Sequence, residues 1–160
     1  MSNSNQPLRP ILERGQMLPP FTLPGADNLP HGPWDYKQRE HLMLLFLQST
    51  TKSEVRDLLR TFAQAYKDLR EEQCALLVIT ADPVIINLQT QDELHLPFPL
   101  LSDASAAIIP RYTLWNSTQS RLTPALILAD RYGEVYSSWM TEQEAELAPL
   151  SELLTTLRYL

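Results

Sequence analysis

Six consecutive apolar residues, 42–47, end abruptly at the polar segment Gln48-Ser49-Thr50-Thr51. Because the run does not alternate with polar residues, it predicts a central strand that is covered on both faces. Apolar residues then recur at spacings of three and four over residues 55–69, which predicts an amphipathic helix of about five turns. Thr51 and Glu54 have the spacing of a capping box at the start of this helix.

A second uniformly apolar run, residues 74–80, follows the helix after a turn at residues 71–73. Strand, helix and strand form a βαβ unit, whose two strands are expected to be parallel neighbours. Asp82 and Pro83 have the residue types of an N-cap and a first helical position, so a second helix is expected from Pro83 to about residue 94.

The segments that flank this unit are rich in proline, glycine and other turn residues. Prolines restrict residues 21–23 to a short edge strand, and a loop over residues 24–33 precedes Trp34 and Tyr36, which are expected to re-enter the core. The other expected elements are an extended segment at 96–103, a short helix at 104–109 capped by Asp103 and ended by Pro110, a loop at 113–122, an antiparallel hairpin of strands 125–129 and 134–139 that turns at Gly133, and a C-terminal helix over 147–157.

Length and composition limit the class of protein. A chain of 160 residues with 44% hydrophobic residues is expected to form one domain over residues 1–160, with residues 1–14 as a partly frayed arm. A formal charge of −6 argues against a nucleic acid partner. No apolar run approaches the roughly 20 residues of a membrane span, and no signal-peptide pattern precedes the first strand, so a cytoplasmic protein is expected.

Cysteine and histidine usage argues against a metal site or another cofactor. Cys74 is the single cysteine, so neither an intramolecular disulfide nor a thiolate cluster can form. His31, His41 and His95 lie far apart in the sequence and lack the spacing of helical metal ligands.

The order of the predicted elements resembles that of the thioredoxin fold, a three-layer α/β sandwich with a central mixed sheet and helices on both faces. Residues 15–23, which read Gly-x-x-Leu-Pro-Pro-Phe-Thr-Leu, resemble the opening motif of the peroxiredoxin-like redoxins, the alkyl hydroperoxide reductase and thiol-specific antioxidant family. Residues 77–82, 96–103 and 126–133 resemble three further segments of that family in the same order. The resemblance spans roughly residues 15–158 and implies thiol-based redox chemistry.

The residue at the expected nucleophile position does not fit that chemistry. In peroxiredoxins the peroxide-attacking cysteine stands three residues before a glutamate or similar residue, and in thioredoxins the first reactive cysteine lies just beyond the strand. Either count reaches Thr51 in this chain. A threonine hydroxyl does not ionise as a thiol does, and it cannot form a sulfenic acid or a disulfide. Thiol chemistry at Thr51 is therefore excluded.

Thr123 and Pro124 stand where thioredoxins carry a cis-proline that faces the active site and where peroxiredoxins carry an arginine. The resemblance therefore implies that Pro124 belongs to the same site as Thr51, with the Thr123–Pro124 bond either cis or trans. The candidate binding residues are Ser49, Thr50, Thr51, Glu54, Thr123 and Pro124. They either only cap and connect elements, or they bind a small anion or polar ligand at the helix N-terminus.

Two further residues have alternative interpretations. Cys74 begins the second strand, on the order of 20 Å from the carboxyl end of the first strand, so it is either a small core residue or a reactive thiol away from the usual site. Trp115, in a polar loop, is a candidate contact residue for a protein partner or an anchor of a homodimer, whereas Tyr136 and Trp139 are expected to be partly buried side chains of the hairpin. Arg111 and Arg121 are expected to remain solvated.

The sequence thus predicts a redoxin that has lost its redox-active cysteine and acts by binding or regulation. The alternative is an active thiol peroxidase or thiol-disulfide oxidoreductase that uses Cys74 or the thiol of a partner. A third possibility is an inactive subunit that pairs with an active redoxin.

Overall fold

A computed structural model describes residues 8–147 and 150–160, so residues 1–7 of the predicted N-terminal arm lie outside the described residues. The α-helices are α1 (Ser53–Glu71), α2 (Val84–Leu94) and α3 (Leu150–Leu157). The strands are β1 (Leu23–Pro24), β2 (Pro30–His31), β3 (His41–Leu47), β4 (Cys74–Thr80), β5 (Leu100–Ser102), β6 (Trp115–Asn116), β7 (Arg121–Leu122), β8 (Ala125–Ala129) and β9 (Val135–Met140). Short 3-10 helices cover Pro33–Asp35, Ile109–Arg111 and Glu144–Glu146.

The central sheet has five strands in the order β5-β4-β3-β8-β9, with β3 in the middle as predicted. β3 and β4 are parallel, with His41 opposite Cys74 and Leu47 opposite Thr80, and β8 runs antiparallel to β3. Every residue of β3 and β4 is buried. The uniform apolar runs therefore reflect two strands that are covered on both faces.

Alternate residues of β3 pack into two separate cores, which makes the fold a three-layer α/β sandwich as predicted. Met43, Leu45 and Leu47 pack against α1 and α3, whereas Leu42, Leu44 and Phe46 pack against the N-terminal segment and the chain around Tyr112. The stripe of α1 that faces the first core consists of residues at helical spacing: Val55, Leu59, Phe62 and Leu69. Every second residue of β3 and the residues of α1 at helical spacing thus pack together in the first core.

Some local predictions were wrong. Trp34 does not re-enter the core: it is 66% exposed, and the Nζ of Lys37 lies 4.3 Å from its ring centroid. The predicted loop 113–122 contains the β6–β7 hairpin, whose two-residue strands are too short to produce a period. The helix predicted over 104–109 is instead the 3-10 turn Ile109–Arg111, which accepts Pro110 in its first turn because no N–H is needed there.

Other elements were placed correctly or displaced by a residue or two. Asp103 does cap the segment that follows it, because its carboxylate accepts the N–H groups of residues 107, 108 and 109. The antiparallel β8–β9 hairpin is confirmed, and Gly133 has the positive φ of +83° that its turn requires. The short strand predicted at residues 21–23 is observed as Leu23–Pro24.

His41, the first residue of β3, is a buried histidine that is only 4% exposed. Its Nε2 lies 3.4 Å from the guanidinium of Arg131, and its Nδ1 has no partner among the described residues. Burial and the positive charge of Arg131 lower the pKa of His41, against a smaller opposing effect of Asp130. The folded protein therefore favours neutral His41.

We expect the free energy of unfolding to fall as the pH drops from about 7.5 to about 5.5, since His41 takes up a proton more readily in the unfolded chain than in the folded one. Urea unfolding at both pH values measures this difference. His41→Gln should lose part of the pH dependence, and His95→Asn, at an exposed position, should keep it. An unchanged pH dependence in His41→Gln would show that another group is responsible.

Candidate functional site

The carboxyl ends of β3 and β4 and the beginning of β8 meet at one end of the sheet. Leu47 is opposite Thr80, and Phe46 is opposite Ala125, so residues 48–51, residues 81–82 and residues 123–124 all emerge at this end. The sequence prediction that Thr51 and Pro124 belong to the same region therefore has a direct topological basis. In α/β folds this end of the strands is where ligands commonly bind.

Thr51 does not form the predicted capping box. The N-cap of α1 is Lys52, which has no side-chain capping bond, and the first helical bond runs from the N–H of Arg56 to the carbonyl of Lys52. The Thr51 hydroxyl lies 2.9 Å from the Ser49 hydroxyl instead. The chain turns at residues 50–51, so Thr51 is one residue too early to cap, and it is exposed, as is Glu54.

The carboxylate of Asp82 holds the turn between β3 and α1. Its Oδ2 accepts the backbone N–H of Thr50 at 2.8 Å, the Ser49 hydroxyl at 3.1 Å and the Thr50 hydroxyl at 3.3 Å. The prediction that Asp82 caps α2 is wrong, because Pro83 is the N-cap of that helix. Asp82 instead joins the chain that follows β4 to the chain that follows β3.

Thr50 is fully buried, and all of its polar groups are paired. Its hydroxyl lies 2.7 Å from the Thr90 hydroxyl on α2, and its carbonyl accepts the Nε–H of Arg56 at 3.0 Å. Arg56 also donates to the Thr90 hydroxyl at 3.3 Å and to the carboxylate of Glu93 at 2.7 Å. Thr50 is thus part of the framework, and it is not free to contact a ligand.

Sequence reasoning missed Arg56, Thr90 and Glu93 as members of this network. Thr90 is 40 residues from Thr50 in the sequence. It lies in a helix that is predicted from its apolar residues, so its polar positions give no signal. Arg56 reads as an ordinary polar position of an amphipathic helix. No local spacing reports either contact.

A cavity of about 580 Å³ lies beside Thr123 and Pro124. It is lined mainly by polar side chains from the β6–β7 hairpin and the segment after β9: Leu114, Trp115, Asn116, Gln119, Arg121, Leu122, Thr123, Pro124, Glu142 and Gln143. Trp115 is partly buried, Arg121 is exposed, and the Thr123–Pro124 bond is trans. Ser49, Thr50, Thr51 and Glu54 are not among the lining residues, so the structure divides the predicted set in two.

Gln48 and Lys52 connect the chain after β3 to segments that line or adjoin this cavity. The amide of Gln48 accepts the N–H of Leu122 at 2.7 Å and donates to the carbonyl of Ser120 at 3.2 Å, which anchors the β6–β7 hairpin. The ammonium of Lys52 lies 3.7 Å from the carboxylate of Glu144, whose side chain is 8% exposed. Gln48 therefore connects the turn to the β6–β7 hairpin, and Lys52 connects it to the 3-10 helix that follows the lining residues Glu142 and Gln143.

Cys74 lies at the opposite end of the sheet from Thr51, as the strand assignment predicted. It is buried at the amino end of β4, opposite His41, and its thiol donates to the carbonyl of Ala75 at 3.4 Å. Burial raises the pKa of the Cys74 thiol to about 12. At neutral pH the thiol is therefore protonated and shielded from solvent, the state of a packed core residue.

Two further observations concern the part of the chain that the structure describes. Over residues 8–147 and 150–160, His, Cys, Asp and Glu side chains do not gather in groups of three or more that could hold a metal ion. None of the helices described in those ranges combines the length and the apolar character needed to cross a bilayer.

Comparison with solved structures identifies the fold. The chain superposes on peroxidoxin BcpB from Mycobacterium tuberculosis with a TM-score of 0.83 and 19% identity, covering 93% of this chain and 98% of that one. It superposes on AhpC from Enterococcus faecalis with a TM-score of 0.83 and 14% identity (92% and 92% covered), and on a cysteine-to-serine mutant of PrxQ from Xylella fastidiosa with a TM-score of 0.79 and 15% identity (92% and 96% covered). These likenesses confirm the thioredoxin-like, peroxiredoxin-type fold.

The family follows from the sequence. The model of the AhpC/TSA family matches residues 14–138, so this chain belongs to that family. No curated protein sequence is significantly similar to the chain. Its single cysteine, Cys74, lies at the amino end of β4 and not at the carboxyl end of β3, where the nucleophile position predicted from the sequence falls on Thr51. The chain is thus an AhpC/TSA-family redoxin that lacks the peroxidatic cysteine.

The hydrogen bonds of Asp82 predict how its replacement affects the protein. Asp82→Ala leaves the Thr50 N–H and two hydroxyls without their acceptor, so we expect the free energy of unfolding to fall by about 1–3 kcal/mol and the Thr50 amide to exchange its hydrogen faster. Denaturant unfolding and amide hydrogen exchange measure the two effects. Asp92→Ala, at an exposed position of α2, should change stability by no more than about 0.5 kcal/mol. Equal effects of the two variants would contradict the assigned role of Asp82.

Proposed function

We propose that this chain is a redox-inactive member of the AhpC/TSA family that acts by binding a ligand or a partner at the Thr51 end of the sheet. The observation that carries the proposal is the exposed Thr51 hydroxyl at the nucleophile position, within a turn that Asp82 and Arg56 hold in place. A hydroxyl cannot carry the sulfenic acid and disulfide steps of thiol peroxidases. What the site offers instead is a set of hydrogen-bonding groups next to a cavity.

The cavity beside Thr123 and Pro124 supports binding of a small anionic or polar ligand. Its lining combines the cationic side chain of Arg121 and the anionic side chain of Glu142 with the aromatic ring of Trp115 and several neutral polar groups. A guanidinium binds carboxylate or phosphate oxygens with two parallel hydrogen bonds, and an indole packs against the apolar part of a ligand. Of the predicted binding residues, Thr123 and Pro124 line the cavity. Thr51 and Glu54 are exposed and do not line it. Ser49 and Thr50 form hydrogen bonds that hold the turn after β3.

The competing proposal is an active thiol peroxidase or thiol-disulfide oxidoreductase that uses Cys74 or a partner's thiol. The burial of Cys74 and its raised pKa argue against the first route, since the thiolate is the nucleophile. The second route requires an active redoxin as the partner. A thiol peroxidase consumes peroxide, either by itself through Cys74 or only when the partner is present, whereas the redox-inactive proposal predicts no peroxide consumption by this chain.

Other features remain proposals that accompany this one. We infer that residues 1–160 form a single domain, since the described strands β3, β4, β5, β8 and β9 share one sheet. A cytoplasmic location and a protein partner or homodimer with Trp115 as an anchor remain predictions. Trp115 is partly buried against the core around Tyr112, which leaves only part of its ring for a partner.

Titration with inorganic phosphate or sulfate tests anion binding. We expect amide chemical shifts in the labelled protein to change at Thr51, Arg121 and Thr123, because a helix N-terminus and a guanidinium both attract anions. Arg121→Gln should abolish the response at the cavity, whereas Arg111→Gln, an exposed arginine outside the cavity lining, should not. If neither the region of Thr51 nor the region of Arg121 responded, anion binding at this end of the sheet would be ruled out.

A peroxidase assay with an external thiol reductant tests the loss of redox chemistry. Wild type and Cys74→Ser should consume peroxide at the same background rate, because Cys74 is buried and protonated. In the Cys74→Ser background, Thr51→Cys should introduce a thiol that reacts with a chromogenic disulfide in the folded protein, since the position is exposed and next to a helix N-terminus.

Peroxide turnover by wild type that Cys74→Ser abolishes would establish the competing proposal. A Thr51→Cys thiol that reacts only after unfolding would show that position 51 is not accessible in the folded protein, contrary to the proposed binding site.

A further inference from the structure

Helix α2 has an inverted distribution of polar and apolar residues. Asn87 and Thr90 are each 1% exposed, whereas Val84, Ile85 and Leu88 are 37%, 57% and 37% exposed. The inward side is polar because it completes hydrogen bonds: the Thr80 hydroxyl donates to the Asn87 side chain at 2.9 Å, and Thr90 pairs with Thr50. Val84, Ile85 and Leu88 are therefore left on the outer side of the helix, contrary to the usual pattern, whereas Leu94 at its end packs against the first core.

The exposed aliphatic residues continue beyond the helix onto a neighbouring loop. A depression of about 400 Å³ separates Val84 from Leu29, which is itself 59% exposed, and its remaining lining includes Leu23, Pro24 and Pro30. We refer to Leu29, Val84, Ile85 and Leu88 as the α2 apolar surface. Contiguous exposed aliphatic side chains next to a depression are typical of protein interaction sites, whereas a single exposed leucine is not.

The charges near this surface are acidic. α2 contains Asp92 and Glu93 and neither lysine nor arginine, and Asp92 lies four residues after Leu88, on the same side of the helix. Glu93 pairs with Arg56, and Asp27 in the adjoining loop pairs with His31, but in the described part of the chain Asp92 has no ion-pair partner. The whole chain carries a formal charge of −6.

This charge distribution favours a cationic partner over a second copy of the chain. Two copies that meet through this surface would bring two sets of like charges together, which costs free energy, whereas lysine or arginine residues on a partner would complement Asp92. We propose that the α2 apolar surface docks a cationic amphipathic segment of another protein. Aliphatic side chains of that segment contact Ile85, Leu88 and the depression between Leu29 and Val84, and its basic residues lie beside Asp92. The proposal does not depend on the function assigned to the Thr51 end of the sheet.

The test uses the full-length protein and a synthetic amphipathic helix made only of leucine and lysine. A peptide with glutamate in place of every lysine has the same apolar face and is the charge control. We expect the lysine peptide to change amide chemical shifts in α2 and around Leu29, with an affinity that falls as salt is added, and the glutamate peptide to bind far more weakly.

Variants assign the binding to the surface. Ile85→Gln combined with Leu88→Gln should weaken binding of the lysine peptide by about tenfold or more, and Leu29→Gln by itself should also weaken this binding. Both changes replace exposed side chains, so the protein should stay folded. Asp92→Asn should reduce the salt dependence. Ile11→Gln, at an aliphatic residue that is 40% exposed in the N-terminal segment, is the matched control and should bind as wild type does.

Three results would overturn the proposal. Equal binding of the lysine and glutamate peptides would show that the charge of the partner does not determine binding. Unchanged binding by the Ile85/Leu88 double variant and by Leu29→Gln would place the peptide elsewhere. Sedimentation that shows a wild-type dimer, abolished by the double variant, would assign the surface to a second copy of the chain.

Discussion

The complete burial of β3 constrains the positions of the other elements. Its two faces supply apolar side chains to two cores, so the chain must cover both faces, with α1 and α3 on one side and the N-terminal segment and residues near Tyr112 on the other. Its two edges pair with β4 and β8, and this pairing brings the chain after β3, the chain after β4 and the Thr123–Pro124 segment to the same end. The geometry of the candidate site thus depends first on a strand that contributes no functional side chain.

At that end, hydrogen bonds with three other residues fix Thr50, the residue before the predicted nucleophile position. Asp82 binds the N–H of Thr50, Arg56 binds its carbonyl, and Thr90 binds its hydroxyl. These interactions satisfy a buried turn completely, which is the condition under which a polar network stabilises rather than destabilises a core. The exposed Thr51 therefore sits on a fixed backbone, and a fixed backbone suits recognition as well as catalysis.

The same network explains the unusual outer surface of α2. Since Asn87 and Thr90 must face Thr80 and Thr50, the inward positions of this part of the helix are not available to Val84, Ile85 and Leu88. Val84, Ile85 and Leu88 consequently remain on the outer side. The inner side of α2 contacts the turn before Thr51 and its outer side forms the α2 apolar surface, so one helix lies between the two regions for which we propose binding.

The amino-acid sequence by itself determined the order of the main elements, the central place of β3, its parallel pairing with β4, the β8–β9 hairpin and the presence of a single cysteine, and it predicts Thr51 at the nucleophile position. These follow from apolar runs, helical periodicity and residue counts, which are local patterns. Only the tertiary structure decided that Asp82 holds the turn instead of capping α2, that Thr51 does not cap α1, that Trp34 is exposed and that α2 buries its polar residues. The physical reason is distance along the chain: the decisive bonds of Thr50 join residues 32 and 40 positions apart, and a local pattern contains no information about which distant partner satisfies a buried polar group.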